Sequence, residues 1–341
     1  MKQVLVGMSG GVDSTYAALS LRDEGYAVRA AVLKMHEYTD VTAAIESAEA
    51  LGVPISVIDC TERFRENVVT DFVKEYTAGR TPNPCVVCNE RVKFRGLYEE
   101  AERLGIPYIA TGHYAKIKQI GDRYALYRAE DHTKDQSYML YRLPAEILSM
   151  LILPLGEKQK KSIVEEASAR SLRAAERKES QDICFVQGES YAAYIERIHG
   201  KSEEGDFVDE QGRVLGRHKG ILHYTVGQRK GLGVSFTGRL FIKHIDPVSR
   251  NIVLSDSKAV SESFLLSSPV YSSESEEEIL ASSEPLCVKL RYSAPLIPAS
   301  VVREKGALRV ILPMGGVSVA PGQSAVFYRG DRLVFGGVVQ E

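Results

Sequence analysis

The chain lacks the sequence features of a membrane or secreted protein. No apolar run in its 341 residues approaches the roughly 20 residues that a membrane-spanning helix needs. The N-terminus has neither the long apolar stretch nor the small-residue cleavage site of a signal peptide. Five cysteines, an odd number in a chain of this length, do not form a disulfide framework. We therefore expect a cytoplasmic protein with no membrane partner, whose cysteines are structural thiols, metal ligands or reactive groups.

The chain also lacks a strong net charge of either sign. Its 43 basic and 45 acidic residues give a formal net charge of −2. That balance argues against a uniformly basic nucleic-acid-binding protein but leaves room for a local basic patch. A composition of 44% hydrophobic and 26% charged residues is typical of globular proteins, and the length predicts two or three domains.

The texture of the sequence changes near residue 200. Before it, short apolar runs alternate with helical patterns, which predicts a parallel sheet covered by helices on both faces. After it, short strand-like runs alternate with glycine, which is typical of small antiparallel barrels or sandwiches. The serine-rich residues 255–285 read as a linker, although apolar residues within them favour partial packing. The predicted domains are residues 1–198, 199–258 and 259–341.

A glycine-rich loop follows the first predicted strand and opens the first predicted helix. Its residues are Gly7, Met8, Ser9, Gly10, Gly11, Val12, Asp13 and Ser14. Such a turn lets several N–H groups converge on an anion at a positively polarised helix N-terminus. Asp13 could position a Mg²⁺ ion on bound phosphates. The loop is neither a Walker loop nor the dinucleotide-binding fingerprint, and its string favours phosphate binding over a purely structural turn.

Three cysteines form the second informative group. Cys85 and Cys88 are spaced C-x-x-C beside two prolines, and Cys184 lies in a later polar stretch. We expect the first two on a constrained loop just before a helix that begins near Glu90, where the helix N-terminus lowers the pKa of a thiol. The pair alone could mark zinc, a redox pair, an iron–sulfur site or no site. Cys60 and Cys287 look like packing residues.

Taken in order, the motifs resemble one family. The string SGGVDS resembles the PP-loop of ATP pyrophosphatases, which adenylate an oxygen with ATP. Together with six further motifs, it resembles the bacterial tRNA-specific 2-thiouridylases over essentially the whole chain. The motifs are residues 81–89, Lys93-Phe94, 110–114, 134–138, Cys184-Phe185 and 224–233. The resemblance implies an adenine nucleotide alpha hydrolase-like α/β domain, a small β-rich domain and a C-terminal antiparallel β-barrel.

The resemblance also implies a reaction and a set of site residues. ATP adenylates O2 of the wobble uridine of tRNA, and sulfur then displaces AMP to give 2-thiouridine. By position, Cys184 carries a persulfide and Cys88 is the second catalytic thiol, which forms a transient disulfide that must be reduced each turn. The loop residues 7–14, Met35 and Gly112 contact ATP. The sulfur comes from a donor such as a cysteine desulfurase or a sulfur-relay protein.

Cys85 departs from the family pattern, because many relatives have aspartate at this position. A thiol cannot simply take over the role of that carboxylate in acid–base work or base contact. It does create a set of three thiols, Cys85, Cys88 and Cys184, that could ligate a 4Fe–4S cluster with one iron open for an extra sulfide. Cluster-based transfer and persulfide transfer are both left open, and zinc is a weaker third choice.

Several segments are expected to face tRNA. Residues 211–245 contain no acidic residue and hold seven Lys or Arg, with Tyr224, Phe236 and Phe241 interleaved, a pattern that fits phosphate-backbone binding or a merely solvated face. The enzyme must also hold its target base flipped out of the anticodon loop. The resemblance places Asn83, Pro84, Cys85, His113, Lys134, Asp135, Gln136, Arg291, Tyr292 and Gln323 against the tRNA.

Two competing functions remain at this stage. A PP-loop ligase or amidotransferase acting on a small molecule would give the three thiols no role and would turn over ATP without tRNA. A non-catalytic tRNA-binding protein would retain only a degenerate loop, whereas Ser9 to Ser14 are intact.

Overall fold

The computed structural model describes residues 1–176, 183–234, 238–257, 260–313 and 316–340. The chain forms two compact units, each assembled from separate stretches. The first unit contains Met1–Val68, Cys85–Phe185 and Asp331–Val334, and the second contains Val69–Pro84, Val186–Gly330 and Phe335–Glu341. No helix within the described ranges is long and apolar enough to cross a membrane.

A five-stranded parallel sheet organises the first unit. Its strands are β1 (Gln3–Gly7), β2 (Ala27–Lys34), β3 (Ile55–Asp59), β4 (Tyr108–Thr111) and a short strand, β7 (Leu151–Ile152), in the order β3-β2-β1-β4-β7. All four pairings are parallel. The chain order reverses between β1 and β4, and the crevice at such a switch point is where open α/β sheets bind ligands. The predicted fold class is confirmed.

Helices connect these strands. They are α1 (Val12–Asp23), α2 (Val41–Leu51), α3 (Thr61–Phe64), α4 (Thr70–Thr77), α5 (Pro84–Cys88), α6 (Phe94–Leu104), α7 (Ser137–Leu140), α8 (Ala145–Met150) and α9 (Lys160–Ala169), with π-helical segments Arg65–Val69 and Asn89–Lys93 and a 3₁₀ turn Arg173–Glu176. Helix α2 has the bounds that its periodicity and caps favour. The Asp40 side chain accepts from the Ala43 N–H at its start, and Gly52 in the left-handed region ends it.

The first unit also contains an antiparallel hairpin. Strands β5 (Ala115–Ile120) and β6 (Arg123–Arg128) pair over six residue pairs, and Arg332 pairs with Tyr127 of β6. The hairpin is absent from the sequence prediction, although the alternation of apolar and polar residues in β5 (AKIKQI) is a strand signal.

The second unit begins with a small sheet. Helix α10 (Tyr191–His199) precedes strands β8 (Gly205–Val208), β9 (Val214–His218), β10 (Phe241–Ile245) and β11 (Ile252–Ser255), in the order β10-β11-β8-β9, with a 3₁₀ turn at Ile221–His223. Phe207, Ile242 and Ile252 form the centre of its core. The sequence favoured purely antiparallel strands here, whereas β11 and β8 are parallel.

A six-stranded antiparallel barrel follows. Its strands are β12 (Ser263–Tyr271), β13 (Leu286–Lys289), β14 (Ile297–Glu304), β15 (Ala307–Ile311), β16 (Ser324–Arg329) and β17 (Arg332–Gln340), and the pairing of β12 with β17 closes it. The serine-rich stretch is not a linker. It holds β12 and α11 (Glu276–Ala281), which Ser275 and Glu278 cap reciprocally.

Candidate active site

The glycine-rich loop lies at the carboxyl end of β1, at the switch point of the sheet. Gly10 has φ +78°, and a Cβ there would lie 2.5 Å from the Ala43 carbonyl carbon, so only glycine fits. Gly11 caps α1, and the Ser9 N–H donates to Ser14 Oγ at 3.1 Å. The loop is therefore held by its own hydroxyls and opens directly into a helix N-terminus, which is the arrangement that suits an anion.

The residues expected to contact the nucleotide differ in their burial and in their position relative to this loop. A Cβ on Gly112, just after β4, would lie 2.6 Å from the Asp13 carbonyl carbon, so Gly112 backs the loop directly. Met8 and Val12 are buried, which leaves their backbone as the part available to a ligand. Met35 follows β2, and its Sδ lies 3.7 Å from the Cys88 Sγ.

Asp13 makes contacts that the sequence does not reveal. Lys160 Nζ donates to both carboxylate oxygens of Asp13 at 2.8 Å. Tyr114 Oη donates to Asp13 Oδ1 at 2.6 Å. A Mg²⁺ ion on Asp13 would have to displace a bidentate ammonium, so the present arrangement does not fit the expected metal role. No local pattern could have found Lys160, because 147 residues separate it from Asp13.

The two clustered thiols lie within a helix and not on a loop. Helix α5 begins at Pro84, where the missing N–H of proline is tolerated and its fixed φ is favourable. Cys85, the second residue of this helix, is exposed. Cys88 is its last residue and is 4% exposed. The expected helix start near Glu90 is therefore wrong, because proline, which breaks a helix from within, is favoured as the first helical residue.

The thiols of Cys88 and Cys184 have raised pKa values. Burial raises the pKa of Cys88 to about 12, and the charge of Lys93 opposes this only in part. The Cys184 thiol is solvent-accessible, yet partial desolvation also raises its pKa. The expectation of a lowered thiol pKa at a helix N-terminus is therefore wrong for Cys88, because desolvation outweighs the helix end. Cys184 and Cys85 both contribute to the electrostatic surroundings of Cys88.

Lys93 lies near the thiols, and its charge also affects His113. The burial of Lys93 disfavours its ammonium, but Cys88, Cys85 and Cys184 outweigh that effect and its pKa is raised. Burial, followed by the charge of Lys93, lowers the pKa of His113 to about 3, so its imidazole is neutral at pH 7. The Thr111 hydroxyl lies 2.9 Å from His113 Nδ1.

The three thiols do not form a ligand set in this structure. Among the described residues, which include all five cysteines, no group of three His, Cys, Asp or Glu side chains is arranged to hold a metal ion. None of these five cysteines is joined in a disulfide bond in this structure. The present arrangement therefore does not fit a 4Fe–4S cluster or zinc on Cys85, Cys88 and Cys184.

The segment Lys134 to Gln136 is largely occupied by internal contacts. Asp135 is 2% exposed and accepts from the Ala129 N–H and the Ser137 N–H, both at 3.1 Å. Gln136 Oε1 accepts from the Tyr114 N–H at 2.9 Å. The buried carboxylate of Asp135 faces inward and supports the loop, and the expected tRNA contact of this residue stays a prediction.

The expected tRNA-facing residues of the second unit form two groups. Gln323 Nε2 donates to the Thr81 carbonyl at 2.8 Å and to the Pro82 carbonyl at 3.2 Å, which holds the stretch that leads to Asn83 and Pro84. Arg291 and Tyr292 are exposed, and a Cβ on Gly227 would lie 4.0 Å from Arg291 Nη2. Gln323 thus contacts the backbone just before Asn83, whereas Arg291 lies beside the 224–233 motif.

Several aromatic and basic residues of the stretch 211–245 are buried or ion-paired, and so are less available to a ligand than the composition suggests. Tyr224 is buried in the core of the small sheet, and His218 is buried with its Nε2 2.9 Å from the Arg250 carbonyl. Phe236 lies outside the described residues. Part of the positive charge is also compensated by neighbouring acids: the ion pairs are Arg213–Asp209, Arg217–Glu204 and Lys243–Glu210.

Together, these features define a class of protein: an α/β unit with a glycine-rich loop and a helix N-terminus at its switch point and with thiols in the same unit, followed by two β-rich segments. Residues 2–188 match a family described as "tRNA methyl transferase HUP domain". Residues 192–256 match "tRNA methyl transferase PRC-barrel domain", and residues 261–339 match "Aminomethyltransferase beta-barrel domain".

Curated relatives match from end to end. The tRNA-specific 2-thiouridylase MnmA of Clostridioides difficile (strain 630) is 39% identical over 360 residues, covering 100% of this chain and 98% of the relative. The tRNA-specific 2-thiouridylase MnmA 1 of Clostridium botulinum (strain Loch Maree) is 38% identical, covering 100% of this chain and 99% of the relative. The chain therefore belongs to the tRNA-specific 2-thiouridylase MnmA family, which confirms the resemblance drawn from its motifs.

A solved 4-thiouridine synthetase–RNA complex with bound ATP is a more distant match. It is 17% identical with a TM-score of 0.38, over 54% of this chain and 45% of that chain. A likeness at this level carries no functional argument.

Proposed function

We propose that the protein is a tRNA-uridine 2-sulfurtransferase, which uses ATP to convert the wobble uridine of tRNA to 2-thiouridine with release of AMP and pyrophosphate. One observation carries the proposal. The first unit holds both the glycine-rich loop at the carboxyl end of β1 and the Cys88 thiol, whose Sγ lies 3.7 Å from Sδ of Met35 at the carboxyl end of the neighbouring strand β2. Membership of the 2-thiouridylase family over the full length supports the same reaction.

The first step is adenylation of the base. MgATP is the substrate, with its phosphates on Gly7 to Ser14 and with Met35 and Gly112 as further contacts. The O2 atom of the uridine attacks the α-phosphorus, and pyrophosphate leaves. The loop N–H groups and the N-terminus of α1 stabilise the negative charge that develops on the phosphates.

The second step is sulfur transfer. The terminal sulfur of a persulfide on Cys184 attacks C2 of the base, the C2–O2 bond breaks and AMP leaves. The Cys88 thiolate then attacks Cys184 Sγ, which releases 2-thiouridine and leaves a Cys88–Cys184 disulfide. An external thiol reductant restores both thiols. The persulfide is supplied by a sulfur donor such as a cysteine desulfurase or a relay protein.

Substrate binding is proposed to extend along the chain. The catalytic domain would be residues 1–198, with Asn83, Pro84, Cys85, His113, Lys134 and Gln136 near the target base. The basic β-rich domain, residues 199–258, and the barrel, residues 259–341 with Arg291, Tyr292 and Gln323, would bind the tRNA backbone. The exposure of Arg291 and Tyr292 supports this proposal.

Sulfur incorporation into tRNA tests the function. Metal-free protein with MgATP and a persulfide donor is compared with anaerobic, iron-reconstituted protein supplied with sulfide. We expect the metal-free protein to form 2-thiouridine, measured by nucleoside mass spectrometry. Activity confined to the iron form would instead assign Cys85 to a cluster and overturn the persulfide route.

Cysteine variants test the assigned roles. Cys88→Ser and Cys184→Ser should each abolish 2-thiouridine formation, since neither hydroxyl can carry or release sulfur. Cys287→Ser, in strand β13 of the barrel, is the matched control and should retain activity. Pyrophosphate release that is equal with and without tRNA would favour the small-molecule ligase over this function.

A further inference from the structure

Lys160 lies against the nucleotide loop although no motif contains it. It is the first residue of α9, its side chain is 14% exposed, and its Nζ donates to both Asp13 oxygens at 2.8 Å. The Asp13 side chain is 28% exposed and lies in the first turn of α1, where the loop residues 7–14 enter the helix. The ammonium is therefore held beside the helix end at which an anion would bind.

Other contacts fix both partners. Tyr114 Oη donates to Asp13 Oδ1 at 2.6 Å, and Lys160 Nζ lies 5.9 Å from the centre of the Tyr114 ring. The Lys160 backbone N–H donates to Asp131 Oδ2 at 3.1 Å, and the Thr133 hydroxyl donates to Asp131 Oδ1. Both ends of Lys160 are therefore held, the ammonium by Asp13 and the backbone N–H by Asp131.

We propose that Lys160 is the fixed cation of the nucleotide site, and that Asp13 and Tyr114 are the positioning residues that hold it there. Asp13 then acts as an anchor for the ammonium, in place of the metal role that the sequence suggested. The ligand is the polyphosphate chain of ATP or the pyrophosphate that leaves it. The inference deepens the proposed function and rests on it.

Binding of inorganic pyrophosphate, measured by calorimetry in EDTA, tests the cation without metal or turnover. Lys160→Met should weaken binding by about 10- to 100-fold, the range for loss of a charged hydrogen bond. Lys160→Arg should recover part of it. Lys161→Met is the matched control, because its side chain is 88% exposed and pairs with Glu165, and it should bind as the unchanged chain does. Equal binding by Lys160→Met, or no binding by the unchanged chain, would overturn the proposal.

Asp13 is tested by a double-mutant cycle. If Asp13 acts through Lys160, Asp13→Asn and Lys160→Met should weaken pyrophosphate binding without additivity. The double variant Asp13→Asn/Lys160→Met removes both charges together. It therefore leaves no unpaired, partly buried charge that could misfold the protein, as either single variant does. If Asp13 only anchors Lys160 and does not hold Mg²⁺, the Asp13→Asn variant should need the same Mg²⁺ concentration as the unchanged chain. The quantity measured is the Mg²⁺ concentration at which the rate of pyrophosphate release is half-maximal. A Mg²⁺ requirement raised by Asp13→Asn but not by Lys160→Met would overturn the anchor role.

These outcomes are separable from the function itself. If the unchanged chain forms no 2-thiouridine while pyrophosphate binding still depends on Lys160, the sulfurtransferase assignment fails and the cation site stands. If the unchanged chain is active and Lys160→Met matches it in both KM for ATP and kcat, the cation assignment fails alone.

Discussion

The thiol of Cys88 must lose a proton to act as a nucleophile, and its surroundings resist that loss. Burial raises its pKa to about 12, so only a minute fraction is thiolate at pH 7. We expect alkylation of Cys88 by iodoacetamide, followed by peptide mass spectrometry, to accelerate about tenfold per pH unit from pH 7 to 9. A rate that levels off below pH 9 would contradict the raised pKa.

Gly10 offers a second residue-scale prediction. Gly10→Ala places a Cβ 2.5 Å from the Ala43 carbonyl carbon at φ +78°, so the loop must move. Pyrophosphate binding should fall at least tenfold. Gly25→Ala is the matched control: its φ is +88° but nothing lies within 4 Å of the added Cβ, so binding should be unchanged. Equal losses in both variants would show that backbone strain, and not the close approach, is responsible.

Single residues also show the limits of reading this sequence. The loop was predictable because Gly7 to Ser14 are contiguous and glycine permits what other residues do not. The contact of Lys160 with the loop was not predictable, because its partner Asp13 is distant in the chain. The burial of Asp135 was not predictable either, because a motif fixes which residue is present but not whether its side chain faces solvent or the interior.

At the scale of elements, helices α1 and α9 are joined by a further polar contact besides that of Lys160 with Asp13. The Tyr16 hydroxyl donates to a Glu166 oxygen, and burial followed by this hydrogen bond raises the pKa of Tyr16 to about 12. Tyr16→Phe should cost about 1 kcal/mol, which lowers the Tm by about 2 °C. Glu165→Gln, on the exposed face of α9, is the control and should leave the Tm unchanged. An unchanged Tm in Tyr16→Phe would mean that water replaces the contact.

Elements with strong local signals were predicted well and those set by long-range contacts were not. The bounds of α2 followed from an Asp cap and a terminal glycine. The start of α5 at Pro84 could not be predicted from the sequence in the same way, since a proline can end a helix or begin one. The parallel pairing of β11 with β8 joins strands that are more than 40 residues apart, and no local pattern encodes such a direction.

At the scale of the whole molecule, neither unit is a single stretch of chain. The Arg128 N–H donates to the Asp331 carbonyl at 2.9 Å within the first unit, and Arg332 pairs with Tyr127. A fragment of residues 1–198 loses both partners. We expect its β5–β6 hairpin to exchange amide hydrogens faster than in the full chain. Equal exchange protection of residues 115–128 in fragment and full chain would contradict this.

The contacts around Tyr114 have a thermodynamic consequence. Tyr114 and Gln136 exchange two hydrogen bonds, of 2.7 and 2.9 Å, while the same tyrosine holds Asp13. A ligand that shifts residues 131–136 therefore also shifts the free energy of the loop. By linkage, a tRNA that tightens ATP binding by a given factor must itself bind more tightly by that factor when ATP is present. The order of binding is then immaterial, and the two substrates act as mutual effectors.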